Sequence, residues 1–457
     1  MVFAYQVARP RTNKCATTSG RVAWGKLTLG ALLLGATLLL AAACGSSDGP
    51  EPASAPPAPT ATAEPTAPEP PATAPATPEP TPEPTPAPPT DEPHEPTPAE
   101  AAARALSLED AVGQLLLIGF RGPQLDATTA AELDRIKPGG VILFDYDVPS
   151  GGEQPRNIVS PEQLRGLIAD LQSQAAIPYF VAVDAEGGFV NRLKERYGFT
   201  AVVPSAQTLG QGPVGDTAAA AEALAVQLDD LGINWNLAPV VDVNVHPESP
   251  AIGAYERSFS ADPIVVVEHA EAFVGALQER RVIPTLKHFP GHGSAVGDTH
   301  LGVTDVTDSY AREEELAPYR MMIDGGYDDV VMTAHIVNRN LDASASPATL
   351  SSAIMTGLLR DELGFAGVVV SDDMQMGAIV ERYRLDQAVI AAVAAGVDVI
   401  LIANQTGDYD LSQVEAVKQA LLDAVASGAI SAERVYESVV RIMDLKLEYG
   451  IIPSGPS

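Results

Sequence analysis

The segment Lys287–His300, "KHFPGHGSAVGDTH", holds three of the chain's seven histidines beside a lysine, an aspartate and three glycines. Side chains of these types can ligate a metal, cradle a phosphate or move protons. A metal site of the His-x₃-His kind needs His288 and His292 on one face of a helix. Pro290, Gly291 and Gly293 work against a helix there. Gly-His-Gly supplies no Walker pattern, so a phosphate cradle is equally unsupported. A tight ordered turn and a catalytic loop both stay open, and neither requires a metal or a cofactor.

Other ionisable and polar residues end or follow apolar runs: Asp184 and Glu186, Asn236, Asp242, His335, and the pair Asp372–Asp373. Any one of them has a plain explanation; Asp372 or Asp373 could simply cap the next helix. Gathered at one rim, they are costly to hold together without a polar ligand.

Their placement depends on the elements that carry them. Eight short apolar runs read as strands: 115–120, 140–145, 179–185, 233–239, 282–288, 329–335, 367–372 and 397–404. Near-continuous Val, Ile and Leu suits parallel strands buried on both faces. Helical patterns lie between them, as in "PEQLRGLIADLQSQ", with Pro161 and Pro263 near helix starts and Gly232 closing a third. Strand and helix alternating eight times predicts an α/β fold, a single (β/α)₈ TIM-like barrel. An open doubly wound sheet is the alternative, but no G-x-G-x-x-G follows the first strand. In a barrel, the polar strand ends converge on one mouth.

Composition divides the chain. Residues 1–26 contain five basic side chains and no acid, and residues 27–43 are apolar and small. This is the pattern of an export signal, with an uncleaved transmembrane anchor as the alternative. Cys44 ends the run behind Ala42 and Ala43. The arrangement resembles a bacterial lipobox, which implies a lipidated Cys44 as the mature N-terminus and tethering at the extracytoplasmic membrane face. Residues 44–100 are rich in Pro, Thr, Ala and Glu, a composition that cannot bury a core. Such a spacer, extended at about 3 Å per residue, would reach on the order of 100 Å. The domain reading is therefore signal 1–43, spacer 44–100, barrel domain 101–452 and tail 453–457. A net charge of −31 argues against nucleic acid as a partner. A monomer is expected.

"KHFPGHG" followed by "GDTH" resembles the signature loop of glycoside hydrolase family 3, in its β-N-acetylglucosaminidase branch. "VDAEGGFVNRL", "NLAPVVDV", "AIGAYERSFSADP" and "VVVSDDMQM" are similar to other segments of that family, in the same order, from about Leu106 to Tyr449. The resemblance implies Asp372 as nucleophile and His300, oriented by Asp298, as acid/base. It implies sugar contacts from Asp184, Arg192, Arg257, Lys287 and His288. Lys287 would also help keep Asp372 ionised, and Gly293 and Gly297 would flank a loop that closes over the sugar. The implied activity is a retaining, exo-acting β-N-acetylhexosaminidase that removes terminal N-acetylglucosamine from β-linked glycosides such as peptidoglycan fragments. A β-glucosidase of the same family and a non-catalytic sugar-binding lipoprotein are the alternatives. Three departures stand out: Phe189 where an arginine is common, Thr299 where a serine is usual, and a longer loop after the second strand.

Overall fold

The computed structural model describes residues 95–453. Residues 1–43, expected to form an export signal, Cys44 and nearly all of the expected spacer lie outside the described residues. The described chain enters through a helix, Pro98–Arg104, inside the last residues assigned to the spacer. Thr97 and Glu100 close a reciprocal capping box at its start. Among the described residues no helix is long and apolar enough to cross a membrane.

Eight strands form the centre. In chain order they are β1 (Leu116–Gly119), β2 (Gly140–Leu143), β3 (Phe180–Val183) and β4 (Trp235–Asn236). β5 (Leu286–Phe289), β6 (Val330–Thr333), β7 (Val368–Val370) and β8 (Ile400–Ile402) follow. One parallel sheet runs β8-β1-β2-β3-β4 and another β7-β6-β5. Parallel bridges Trp235–Ile283 and Val370–Val399 join the two sheets at both pairs of edges. Every residue of these strands is buried, which explains their unbroken apolar runs. The strands are shorter than the apolar runs, because residues at the run ends turn into loops that carry the polar groups.

The helices fall where periodicity put them. Pro161–Gln174 starts on Pro161 with Ser160 as cap, and buries Leu164, Leu167, Ile168 and Leu171. Val214–Leu231 ends on Gly232, whose φ of 82° is one that glycine takes without strain. Pro263–Glu279 is capped by Asp262.

Ionisable groups at the opposite, N-terminal ends of the strands are structural. Asp398, fully buried, pairs with Arg360, Arg434 and Arg441 and accepts the N–H of Val369. Lys446 donates to Gln114 and to the Gly139 carbonyl, 4.8 Å from the Phe180 ring.

Candidate active site

The C-terminal ends of β3, β4 and β5 are tied by one continuous polar network. Lys287, buried on β5, reaches Asp184 at 3.2 Å and Glu186 at 2.6 Å. Asp184 also accepts from Arg192 at 3.1 Å. Glu186 takes a forked pair from Arg257, both contacts 2.8 Å, and the same guanidinium lies 3.2 Å from His288 Nε2. His288 Nδ1 donates to Asp242 Oδ2 at 2.7 Å. All five residues expected to contact sugar therefore meet in one cluster, together with Glu186 and Asp242. Burial would raise the carboxyl groups of Asp184 and Glu186, but Lys287, Arg192 and Arg257 outweigh it and hold both below the usual range.

Asn236, at the end of β4, has a structural role. Its amide accepts from the Ala185 N–H and donates to the Ala185 carbonyl, both at 3.1 Å, supporting the turn that carries Asp184 and Glu186.

The loop after β5 is built as a fixed stem with an exposed tip. Asp242 Oδ1 accepts the N–H groups of His288 and His292 at 3.1 and 2.8 Å. Glu315, fully buried, accepts the N–H groups of Gly293 and Ser294 and the hydroxyl of Ser294. Desolvation pushes Glu315 up to about 7. A Cβ on Gly293 would lie 1.7 Å from the Val243 carbonyl oxygen, so this glycine permits close packing rather than hinging. That corrects its expected role as a flank of a closing loop. Beyond Ala295 the chain emerges: Val296 and Leu301 are exposed. His292 is buried and held near 4, chiefly by desolvation. Among the described residues no group of three or more His, Cys, Asp or Glu side chains is disposed to hold a metal ion.

At the tip, His300 Nδ1 donates to Asp298 Oδ1 at 2.8 Å, and the His300 N–H bonds the same oxygen at 2.9 Å. This fixes the ring, and the side chain is 58% exposed. Partial desolvation pulls His300 down, but the Asp298 hydrogen bond and the charges of Asp372 and Asp298 raise it above its usual pKa. The loop returns onto the chain that follows Asp372. Ala378 N–H bonds the Thr299 carbonyl at 3.0 Å and Gly377 N–H the His300 carbonyl at 3.3 Å. The His300 loop and the β7 loop are thus docked together.

Asp372 and Asp373 follow β7 and differ sharply. Asp373 is buried, and its Oδ1 accepts the N–H groups of Gln375 and Ala403 at 3.2 and 3.1 Å. Desolvation pushes it up to about 6. Asp372 is half-buried and bonds the Asp373 N–H. Burial would raise it, but the imidazoles of His335, His288 and His300 and the backbone N–H hold it at about 2. Neither aspartate caps the next helix, which begins at Gly377 behind Met376. Lys287 is engaged with Asp184 and Glu186, so the expectation that it keeps Asp372 ionised is replaced by the imidazole cluster. His335 Nε2 donates to the Asp373 carbonyl at 3.0 Å, and Nδ1 lies 2.8 Å from the Thr349 hydroxyl. It is a positioning group for the Asp372–Asp373 segment.

A match to the model of the glycosyl hydrolase family 3 N-terminal domain spans residues 107–445. The chain belongs to glycosyl hydrolase family 3. Family relatives include beta-hexosaminidase A of Pseudoalteromonas piscicida, 33% identical over 76% of this chain and 62% of that protein. Beta-hexosaminidase LpqI of Mycobacterium tuberculosis is 34% identical over 75% of this chain and 83% of its own length. A solved family 3 β-N-acetylglucosaminidase from Paenibacillus sp. superposes with a TM-score of 0.69 at 38% identity, over 76% of this chain and 63% of that one. The chain thus spans less than two thirds of two of these relatives.

Glu315 escaped the sequence reading, although a cue was present. It sits four residues before Tyr319 and seven before Met322, on the buried stripe of the helix Arg312–Asp324. An acid on an apolar stripe signals a buried acceptor role. The longer loop after β2 is ordered by Asp147, which is fully buried and held by Arg121 and Arg156, each at 2.9 Å.

Proposed function

We propose that this family 3 protein is a retaining, exo-acting β-N-acetylhexosaminidase. Its substrates would be terminal N-acetylglucosamine residues of β-linked glycosides, peptidoglycan fragments among them. The observation that carries the reading is the split between two titratable partners at one site: Asp372 held near 2 and His300 raised. A nucleophile must be ionised and a leaving-group acid protonated at the same pH.

In the first step the Asp372 carboxylate attacks the anomeric carbon and forms an ester as the glycosidic C–O bond breaks. His300 passes the proton on Nε2 to the departing oxygen, and Asp298 stabilises the imidazolium before transfer. In the second step water gives a proton back to Nε2 and attacks the anomeric carbon, releasing Asp372. Lys287, Arg192, Arg257, His288 and Asp184 hold the sugar hydroxyls. The relatives' names and the polar cluster around Lys287 support this reading, and the β-glucosidase alternative draws on no particular feature of the site. The test is a panel of aryl β-glycosides with the anomer of the first-formed sugar followed by NMR. β-N-acetylglucosamine as first product supports retention; the α-anomer, or preference for glucosides, overturns the proposal.

The two parallel sheets, bridged at both edges, support a closed eight-stranded barrel with this site at its C-terminal mouth. We also propose export and membrane tethering through lipidated Cys44, with the protein acting as a monomer. Mass spectrometry of membrane-fraction protein should then find no peptide from residues 1–43; a Cys15 peptide in the mature protein overturns this.

A further inference from the structure

The proposed reaction uses the charged groups at the C-terminal face and leaves two exposed rings there without a role. Phe189 is 49% exposed and Tyr255 37%. Their ring centroids lie 6.1 Å apart at 80°, an edge-to-face pair. Both ride on braced turns. Phe189 occupies the tip between the paired segments Ala185–Gly187 and Val190–Asn191. Gly187 and Gly188, at φ 103° and 54°, press that tip onto Val203–Ser205, where a Cβ would meet Pro204 O at 2.4 Å and Ser205 Cβ at 2.7 Å. Tyr255 ends a short turn, Gly253–Tyr255, and the next residue, Glu256, accepts the Ser205 hydroxyl at 2.7 Å. The forked Glu186–Arg257 pair joins the two arms directly, three residues before Phe189 and two after Tyr255.

Two exposed rings on braced turns, joined through the Glu186–Arg257 pair of the polar cluster, suit a ligand with an apolar face, and the C–H face of a pyranose is one. We propose that Phe189 and Tyr255 form a platform for the first sugar ring of the leaving group. This rests on the exo-acting reading. The terminal sugar takes the buried network, so the ring beyond it must lie on the solvent side, where Phe189, Tyr255 and His300 are exposed. The residue that departs from the family's usual arginine is thereby assigned to substrate choice rather than to bond cleavage.

The test compares two substrates with the same terminal sugar: N,N′-diacetylchitobiose, whose leaving group is a sugar, and N-acetyl-β-glucosaminyl fluoride, whose leaving group has no ring. Phe189→Ala and Tyr255→Ala should each lower the chitobiose-to-fluoride ratio of kcat/KM by a factor on the order of ten, the scale of one lost ring contact. Phe189→Trp and Tyr255→Phe keep a ring and should restore the ratio. An unchanged ratio in the alanine variants, or equal loss on both substrates, overturns the platform while leaving the hydrolase reading intact. A wild-type protein inert toward both substrates overturns the hydrolase reading and the platform with it.

Discussion

Replacing His300 by alanine removes the proposed proton donor while leaving Asp372 and its other imidazole neighbours, His288 and His335, in place. General acid/base assistance is ordinarily worth about 10²–10⁴-fold. At about 1.36 kcal/mol per decade that is roughly 3–5 kcal/mol of barrier. A disaccharide has a poor leaving group and should lose the full amount in kcat/KM. A dinitrophenyl glycoside leaves without a proton, so its kcat/KM should fall by less than about tenfold. Its release step still needs a base for water, and the glycosyl-enzyme should accumulate, visible as a burst in rapid-mixing absorbance. Asp298→Asn calls for a smaller number. A buried aspartate behind a catalytic histidine can be worth about 10⁴-fold. Here the Asp298 and His300 side chains are 24% and 58% exposed, so solvent screens the pair. An exposed pair contributes about 0–1 kcal/mol, which predicts no more than about a fivefold loss. The assay is stopped-flow and steady-state kinetics on both substrates for both variants. Equal losses on disaccharide and activated glycoside in His300→Ala would refute the assignment of the acid.

Gly377→Ala leaves every catalytic group intact, yet its Cβ would sit 2.8 Å from the His300 carbonyl oxygen. Moving the acid loop by a fraction of an ångström should cost about 10–100-fold on disaccharides, and wild-type rates would show that the loop is not docked there. Asp373→Ala strands two backbone N–H groups, so it should lower the melting temperature by several degrees, at about 1–3 kcal/mol per unpaired group, while keeping the burst. Asp372→Asn should do the reverse, abolishing the burst at near-native stability. The basic limb of the kcat/KM profile should follow His300, which must be protonated and whose pKa is raised. Activity is therefore lost as pH rises through that raised value. Asp298→Asn removes a charge and leaves at most a neutral, weaker hydrogen bond, and should move the limb to lower pH; no movement in a pH titration would show that Asp298 does not hold the proton on His300.

Much of this site was legible in the chain because the polar residues interrupt apolar runs. Asp184, Lys287, His288 and Asp372 stand out against "FVAV", "TL" and "VVV", and a parallel strand places such interruptions at one end. The pairing of those residues was not legible. Lys287 could have faced Asp372 or Asp184, and only the convergence of β3 and β5 decides for Asp184 and Glu186. The glycines misled for a similar reason. Gly293 reads as freedom in a sequence, whereas contact with the Val243 carbonyl makes it a close-packing residue. Asp372 and Asp373 are identical in type and adjacent. Their separation into a low-pKa carboxylate and a buried acceptor depends on the backbone turn after β7 and on three imidazoles from two other segments.

The central claim is a covalent glycosyl ester on Asp372, and trapping it is the most direct test. The protein would be incubated with 5-fluoro-N-acetylglucosaminyl fluoride, quenched in acid, digested and sequenced by tandem mass spectrometry. The account predicts one sugar increment on the peptide containing Ser371–Asp372–Asp373, localised to Asp372 and absent in Asp372→Asn. A sugar localised to Asp373, or turnover of the wild-type protein with no labelled peptide, would contradict it.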